Sequence, residues 1–417
     1  MTPSYPIRAI EPAEAAAFGD VPGIAFSSTN PPAKAIEHDL LTFEFDRSAA
    51  AFDGDQIVGT SCTFTFQLSV PGGGQVACGG VSAVAVLPTH RRRGIMSAML
   101  RHLLADCAAR GEPLAALFSS EPELYGRFGF GCASEDVRMV IPRGDGRLIP
   151  PAVAARDRSA PRLRIADPEQ VRDGLDQVFR AVAARRPGMF ARDDRWWRSR
   201  IADPEWARDG SSPARWVVAE DDDGMRGYAC YSVQPTWTAD GLPDNKLRVS
   251  ELMTTDTGAA AALWTYLLTM DLVGEVRAVL RPVDDELFAM LAGRRRARSS
   301  LSDGLWVRLV DVPAALSQRS YAREVDVVIE VTDDVLPANT GRWRLTTDAS
   351  GKAACERTNS QPQLLAPVRS LGAAYLGGTR LGQLAAAGQL AELRPGALAE
   401  LSAAMSWDPA PWAPMIF

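Results

Sequence analysis

Three consecutive arginines and a glycine, Arg91-Arg92-Arg93-Gly94, follow an apolar run of strand type from Val81 to Leu87. After them, Ile95, Met96, Met99, Leu100, Leu103, Leu104 and Cys107 recur at the 3–4 spacing of one buried helix face. The arginines therefore stand in a turn that leads from a buried strand into a helix N-terminus. The first backbone N–H groups of a helix lack partners inside it, and its aligned peptide dipoles place partial positive charge at that end. Guanidinium groups beside such an end, with a glycine that lets the backbone approach closely, make a seat for a pyrophosphate. The alternative is an exposed basic turn that contacts nucleic acid. Against it, 45 Lys and Arg face 51 Asp and Glu, a net charge of −6, so the chain as a whole is not basic.

The elements that hold this turn belong to a chain of 417 residues, too long for one core, so two or three domains are expected. No apolar run reaches the ~18 residues of a membrane span, and the N-terminus lacks the basic and apolar blocks of a signal peptide. A cytoplasmic protein is expected. Cys62, Cys78, Cys107, Cys132, Cys230 and Cys355 show no CxxC spacing, and His38, His90 and His102 are the only histidines. Neither a metal site nor a disulfide frame is expected.

The first third reads as α/β. Ala51 to Thr60 and Cys62 to Val70 read as paired strands, with Pro71-Gly72-Gly73-Gly74 as a turn. The arginine loop and its helix follow, and Leu114 to Phe118 reads as a parallel strand beside the Val84 strand. Residues 156–300 repeat that order more weakly. A hairpin runs from Trp216 to Val233 around Asp221-Asp222-Asp223-Gly224; then come a strand from Leu247 to Met253, a helix from Ala259 to Met270 and a strand from Glu275 to Leu280. The loop Thr254-Thr255-Asp256-Thr257-Gly258 carries an acid and no arginine, so it would repel a pyrophosphate. From 301 onward, strands at Leu305–Val310, Val325–Val331 and Trp343–Leu345 precede helical patterns at Leu364–Tyr375, Leu381–Leu390 and Ala397–Met405, an α+β module. The chain ends Trp407-Asp408-Pro409-Ala410-Pro411-Trp412-Ala413-Pro414-Met415-Ile416-Phe417. Three prolines stiffen this segment, and its tryptophans and apolar end suit docking better than water.

The strand–[RQ]xxG–helix loop resembles the acyl-CoA signature of the GCN5-related N-acetyltransferases (GNATs). Further motifs extend the likeness: Pro88-Thr89-His90 before the arginines, Ser120-Glu121, Tyr125-Gly126-Arg127-Phe128-Gly129-Phe130-Gly131, Asp303-Gly304-Leu305-Trp306-Val307-Arg308, Val312-Pro313-Ala314-Ala315-Leu316 and the terminal Phe417. Together they resemble the Eis (enhanced intracellular survival) family over essentially the whole chain. The resemblance implies a catalytic GNAT domain (1–155), a degenerate GNAT-like domain (156–300) and a sterol-carrier-protein-like domain (301–417). It also implies a homohexamer, acetyl-CoA as cosubstrate, and transfer to an amine of a small molecule, aminoglycosides in known members, or to a peptide lysine.

Attack of an amine on a thioester needs a neutral amine, a stabilised oxyanion and a proton for the departing thiolate. By resemblance the base is the C-terminal carboxylate, here on Phe417. A free α-carboxyl, with a pKa of roughly 3.3–3.7, is a poor base, and burial beside Met415, Ile416 and aromatic neighbours would raise it. The same matching makes Tyr125 the general acid. The backbone N–H of Val84 is the oxyanion donor, on a strand that splays from its neighbour in the resembled fold. Val86, Arg91, Arg92, Arg93, Gly94, Ile95 and Ser120 are the expected acetyl-CoA contacts. Other readings stay open: Glu121 as base, a tail that only packs between domains, a Tyr125 that packs under its glycine loop, and a non-catalytic acyl-CoA or lipid-binding module.

The departures from the family concern the acceptor. Members that hold aminoglycosides carry a carboxylate before the terminal phenylalanine, where this chain has Ile416. Near the N-terminus they line the pocket with an aspartate and a tryptophan. Phe26-Ser27-Ser28-Thr29-Asn30 offers no acid there, and Glu37-His38-Asp39 falls where the tryptophan would. Each lost charged partner weakens binding of a polycation by about 1–3 kcal/mol, so a less charged, more apolar amine is expected. Trp196-Trp197 offers either stacking surface or core.

Overall fold

The computed structural model describes residues 5–27, 33–150 and 160–417. Ser28, Thr29 and Asn30, and the expected boundary at 155, lie outside them. The first third contributes β1 (Ile7–Arg8), β2 (Ser48–Asp53), β3 (Gln56–Ser69), β4 (Gln75–Val86), β5 (Leu114–Phe118), β6 (Gly131–Cys132) and β7 (Glu135–Pro142). The middle contributes β8 (Arg162–Ala166), β9 (Arg215–Asp221), β10 (Gly224–Gln234), β11 (Asn245–Thr254), β12 (Val273–Pro282) and β13 (Ser300–Asp303). The last part holds β14 (Leu305–Leu309), β15 (Asp326–Thr332), β16 (Gly341–Thr347), β17 (Ala353–Arg357), β18 (Leu364–Pro367) and β19 (Ala391–Glu392).

These strands form three sheets, ordered β1-β2-β3-β4-β5-β14-β6, β13-β7-β12-β11-β10-β9-β8 and β17-β16-β15-β18-β19. Two strands cross between the first pair. β7 leaves the first third to pair with β12, setting Ile141 opposite Val276, while β14 returns to lie beside β5 with Trp306 opposite Leu117. The sheets therefore do not follow the sequential cuts at 155 and 300. One apolar core joins the first sheet to the C-terminal module through Leu305, Val307, Val312, Val327 and Leu371. Separate cores cover the two faces of the second sheet. No helix among the described residues is long and apolar enough to cross a membrane.

Two local expectations need correction. Ala51 to Thr60 is not one strand: Gly54, at φ 58, turns the chain between β2 and β3. Leu364 to Pro367 is not helical but pairs in parallel with β15, and the helix begins at Val368. That strand is short and lacks β-branched residues, so its local pattern does not announce it.

The splay matters most for the site. β4 and β5 pair in parallel from Cys78–Leu114 to Gly80–Ala116 and no further. Beyond that point Val81 to Val86 and Leu117–Phe118 part, and the helix Ile95–Ala109 aims its N-terminus at the gap.

Candidate active site

A cavity of about 550 Å³ opens where β4 and β5 part. One wall is the arginine loop and the first turn of the Ile95–Ala109 helix; Ser120, Glu121 and Tyr125 stand opposite, and Val84 and Val86 line it from β4. Gly94 caps the helix at φ 83, and no side chain caps it. A Cβ at Gly94 would meet nothing within 4 Å, so the left-handed backbone is what favours glycine there. The first intrahelical bond runs from the Ala98 N–H to the Gly94 carbonyl (3.0 Å). The N–H groups of Ile95, Met96 and Ser97 precede it and are available to an anion.

The three arginines fan out. Arg91 donates to the Ala25 carbonyl (2.8 Å) and still lines the cavity. Arg92 lines it too, with no ion pair or hydrogen bond to its side chain among the described residues. Arg93, expected beside them, turns away and donates to the Tyr5 hydroxyl (2.8 Å) and the Thr89 carbonyl (3.0 Å). The cause is the left-handed backbone of Arg92, φ 64, which reverses the chain between its neighbours. Val84, Val86, Gly94, Ile95 and Ser120 all border the cavity.

Tyr125 is 6% exposed. Burial, reinforced by the charge of Glu121, pushes its phenol up to about 12. It therefore remains a proton donor throughout the neutral range.

β4 carries a bulge at this point. Thr60 faces Ala85 and Cys62 faces Ser82, so Ala83 and Val84 together oppose Ser61. Ala83 sits at φ 51, its carbonyl accepting from the Thr60 hydroxyl (2.9 Å). The bulge separates two cavities: Val84 lines the first, and Ala83 lines a second of about 520 Å³. Phe26 borders both.

Phe18, Phe43, Phe64 and Trp196 give the second cavity an apolar wall. Asp39 is the one carboxylate side chain among its described lining residues, and neither lysine nor arginine joins it. Desolvation raises the Asp39 carboxyl above its ordinary value, against the pull of His38. Of the tryptophan pair, Trp196 faces this cavity, whereas Trp197 is buried in the core of the second sheet and donates to Asp176 (2.8 Å). Glu121 borders the first cavity and not the second.

The chain terminus reaches the same place. The Ser82 hydroxyl donates to a terminal oxygen of Phe417 (2.9 Å). The Phe417 ring lies among Phe66, Phe190, Phe118 and Phe64, with centroids at 4.9, 5.1, 5.6 and 6.1 Å. Gly80 permits this approach: a Cβ there would stand 2.4 Å from the Phe66 ring and 3.0 Å from that of Phe417. Burying one phenyl ring contributes about 1.5–3 kcal/mol, whereas fixing each residue of a free chain end costs roughly 1–2 kcal/mol. The ring alone does not hold the tail, which is gripped further back.

Residues 6–133 and 188–309 each match the acetyltransferase (GNAT) domain, and residues 312–414 match the sterol carrier protein domain. An N-acetyltransferase of Streptomyces avermitilis is 45% identical over 372 residues, 89% of this chain and 89% of that protein. The N-acetyltransferase Eis of Mycobacterium bovis is 33% identical over 360 residues, 85% of this chain and 84% of Eis. The crystal structure of Eis1 from Mycobacterium abscessus matches with a TM-score of 0.83 at 32% identity, covering 99% of this chain and 100% of that one. The chain belongs to the Eis-like GNAT N-acetyltransferases.

GNAT membership implies acetyl-CoA as acyl donor. The first cavity suits it: the uncapped helix end and Arg92, without a side-chain partner among the described residues, offer fixed positive charge to a diphosphate. In the second GNAT module of this Eis-like chain an acid stands at the equivalent helix end. Asp256 caps the helix Thr257–Leu268, accepting from the Ala259 N–H (3.0 Å) and from Arg226 at Nε (2.8 Å) and Nη2 (2.6 Å). Sequence reasoning missed Ser82 and the ring cluster of Phe64, Phe66 and Phe190. Their residue types signal strand or core, and only the tertiary path of the tail gives them a role at the site.

Proposed function

We propose that this enzyme acetylates the primary amine of a small, largely apolar molecule bearing little positive charge. The Phe417 carboxylate takes the amine's proton, Tyr125 returns one to the departing thiolate, and the Val84 N–H steadies the developing oxyanion. Arg91, Arg92, Gly94, Ile95, Val86 and Ser120 hold acetyl-CoA.

The observation that carries this reading is the terminal oxygen of Phe417, bound by Ser82 beside the bulge that separates the two cavities. Glu121 borders only the donor cavity, which favours Phe417 as base. The acceptor class follows from charge. One ammonium finds Asp39 and the terminal carboxylate, but each further ammonium enters an aromatic wall unpaired, at a cost of about 1–3 kcal/mol.

Deleting Phe417 tests the base: turnover should fall at least about tenfold, with acetyl-CoA affinity unchanged. Unaltered turnover would overturn it in favour of Glu121. In an amine panel, aromatic monoamines should show lower KM than polycationic aminoglycosides; the reverse order would overturn the acceptor class.

A further inference from the structure

The second GNAT module keeps a cleft that it does not offer to acetyl-CoA. β11 and β12 pair in parallel up to Val249–Ala278 and then part, as β4 and β5 do after Gly80–Ala116. The indole of Trp412, 3% exposed, is seated beside that gap and, with Leu252, Asp256 and Arg281, lines the cavity of about 220 Å³ left there. Its Nε1–H donates to the carbonyl of Leu280 on β12 (2.5 Å). Arg281 lies 4.9 Å over its ring and donates to the carbonyl of Leu252 on β11 (2.9 Å), so the indole is held from both parted strands.

The backbone on either side is gripped as well. The Trp412 N–H donates to the Pro187 carbonyl (2.8 Å). Gly188, at φ 95, approaches so closely that a Cβ would stand 2.9 Å from the Trp412 carbonyl oxygen. Ala410 is held from both directions: its carbonyl accepts from Arg186 (2.8 Å) and its N–H donates to Asp284 (2.9 Å).

The loop that grips Trp412 also touches the catalytic end. Gly188 and Ala191 donate backbone N–H groups to Ser69 (2.8 Å) and Gln67 (2.9 Å) at the end of β3. Between them stands Phe190, whose ring packs on Phe417. Only Ala413 to Ile416 separate the anchored indole from the terminal residue, and Pro414 stiffens that spacer.

We propose that Trp412 is a positioning residue for acetyl transfer: seated in the disused cleft of the second GNAT module, it sets how far the terminal carboxylate reaches into the first. This rests on the reading of Phe417 as base. The test compares the full chain with Trp412→Ala, Trp412→Phe, a glycine inserted between Ala413 and Pro414, and a chain lacking Phe417. Trp412→Ala should lower kcat at least tenfold with the KM for acetyl-CoA within twofold, and Trp412→Phe should recover most of the loss. The insertion leaves the anchor seated and lengthens the reach, so it should cost a similar factor even if Trp412→Ala does not fold. Added formate should restore part of the turnover in the inserted and Phe417-lacking chains, which a purely structural defect would not show. Parent-level kcat in a folded Trp412→Ala chain, or in the inserted chain, overturns the inference while leaving the Phe417 base intact if its deletion still slows turnover. Unchanged turnover on deleting Phe417 instead overturns the base reading, and the inference falls with it.

Discussion

The two GNAT modules share a parted pair of parallel strands and a helix aimed at the gap, yet they differ in what stands at the helix N-terminus. In the first, no side chain caps the end at Gly94, and Arg92 beside it has no side-chain partner among the described residues. In the second, the Asp256 carboxylate occupies the place an anion would take. Burial works against its charge, but Arg226 and the N–H groups of Ala259 and Gly258 outweigh that and hold Asp256 below the ordinary carboxylate value. A cofactor diphosphate arriving there would meet a fixed negative charge whose neutralising partner is already used. One turn of chain thus makes the first helix end suited to an anion and the second not, and Trp412 is seated beside the second cleft.

The largest expected effect reverses the charge of the first turn. If Arg91 and Arg92 hold the diphosphate as proposed, an Arg91→Glu/Arg92→Glu chain loses two charge-assisted contacts worth about 1.5–3 kcal/mol each. Acetyl-CoA affinity should fall by roughly a hundredfold or more, measured by fluorescence titration. Arg93→Ala, whose guanidinium serves Tyr5 and Thr89, should alter affinity much less. Equal losses from both changes would erase the distinction between the arginines.

A smaller effect is expected at Tyr125. Replacing it with Phe should lower kcat about tenfold or more without raising the KM for acetyl-CoA. Because burial lifts its phenol to about 12, the protonated, donating form persists as pH rises past the ordinary tyrosine value near ~10. The pH–rate profile of the parent should therefore show no alkaline limb from this group below about pH 11, and Tyr125→Phe should lower the profile without changing its shape. An alkaline limb that vanishes in Tyr125→Phe would mean a phenol with a lower pKa.

The smallest effect sharpens the comparison from the other side. Asp256→Ala removes a helix cap and one of the partners of Arg226, so the chain should lose about 1 kcal/mol of stability, seen in a denaturant midpoint. Its KM for acetyl-CoA should not change if, as proposed, only the first cleft binds the donor.

Much of this contrast is legible in local sequence. The run from Val81 through Arg91 to Cys107 states strand, basic turn and helix by its own periodicity, and Asp256 in the equivalent loop states the loss of the anion seat. Phe417 and Tyr125 are different. Nothing in their spacing marks them as base and acid, and only the likeness to Eis did so. The exchange of β7 and β14 between sheets escaped because strand pairing is decided by distant partners. Arg93 escaped because a backbone reversal at Arg92 cannot be read from three identical side chains. Trp412 was legible as a docking residue, but its berth on Leu280 depends on a cleft assembled from β11 and β12.

If one of the two similar clefts binds the donor while the other holds the tail, the intact chain takes up a single acetyl-CoA, which calorimetric titration reads as a stoichiometry. The expected result is one site per chain, abolished by Arg91→Glu/Arg92→Glu. Two sites per chain, or a single site that survives that double change, would contradict it.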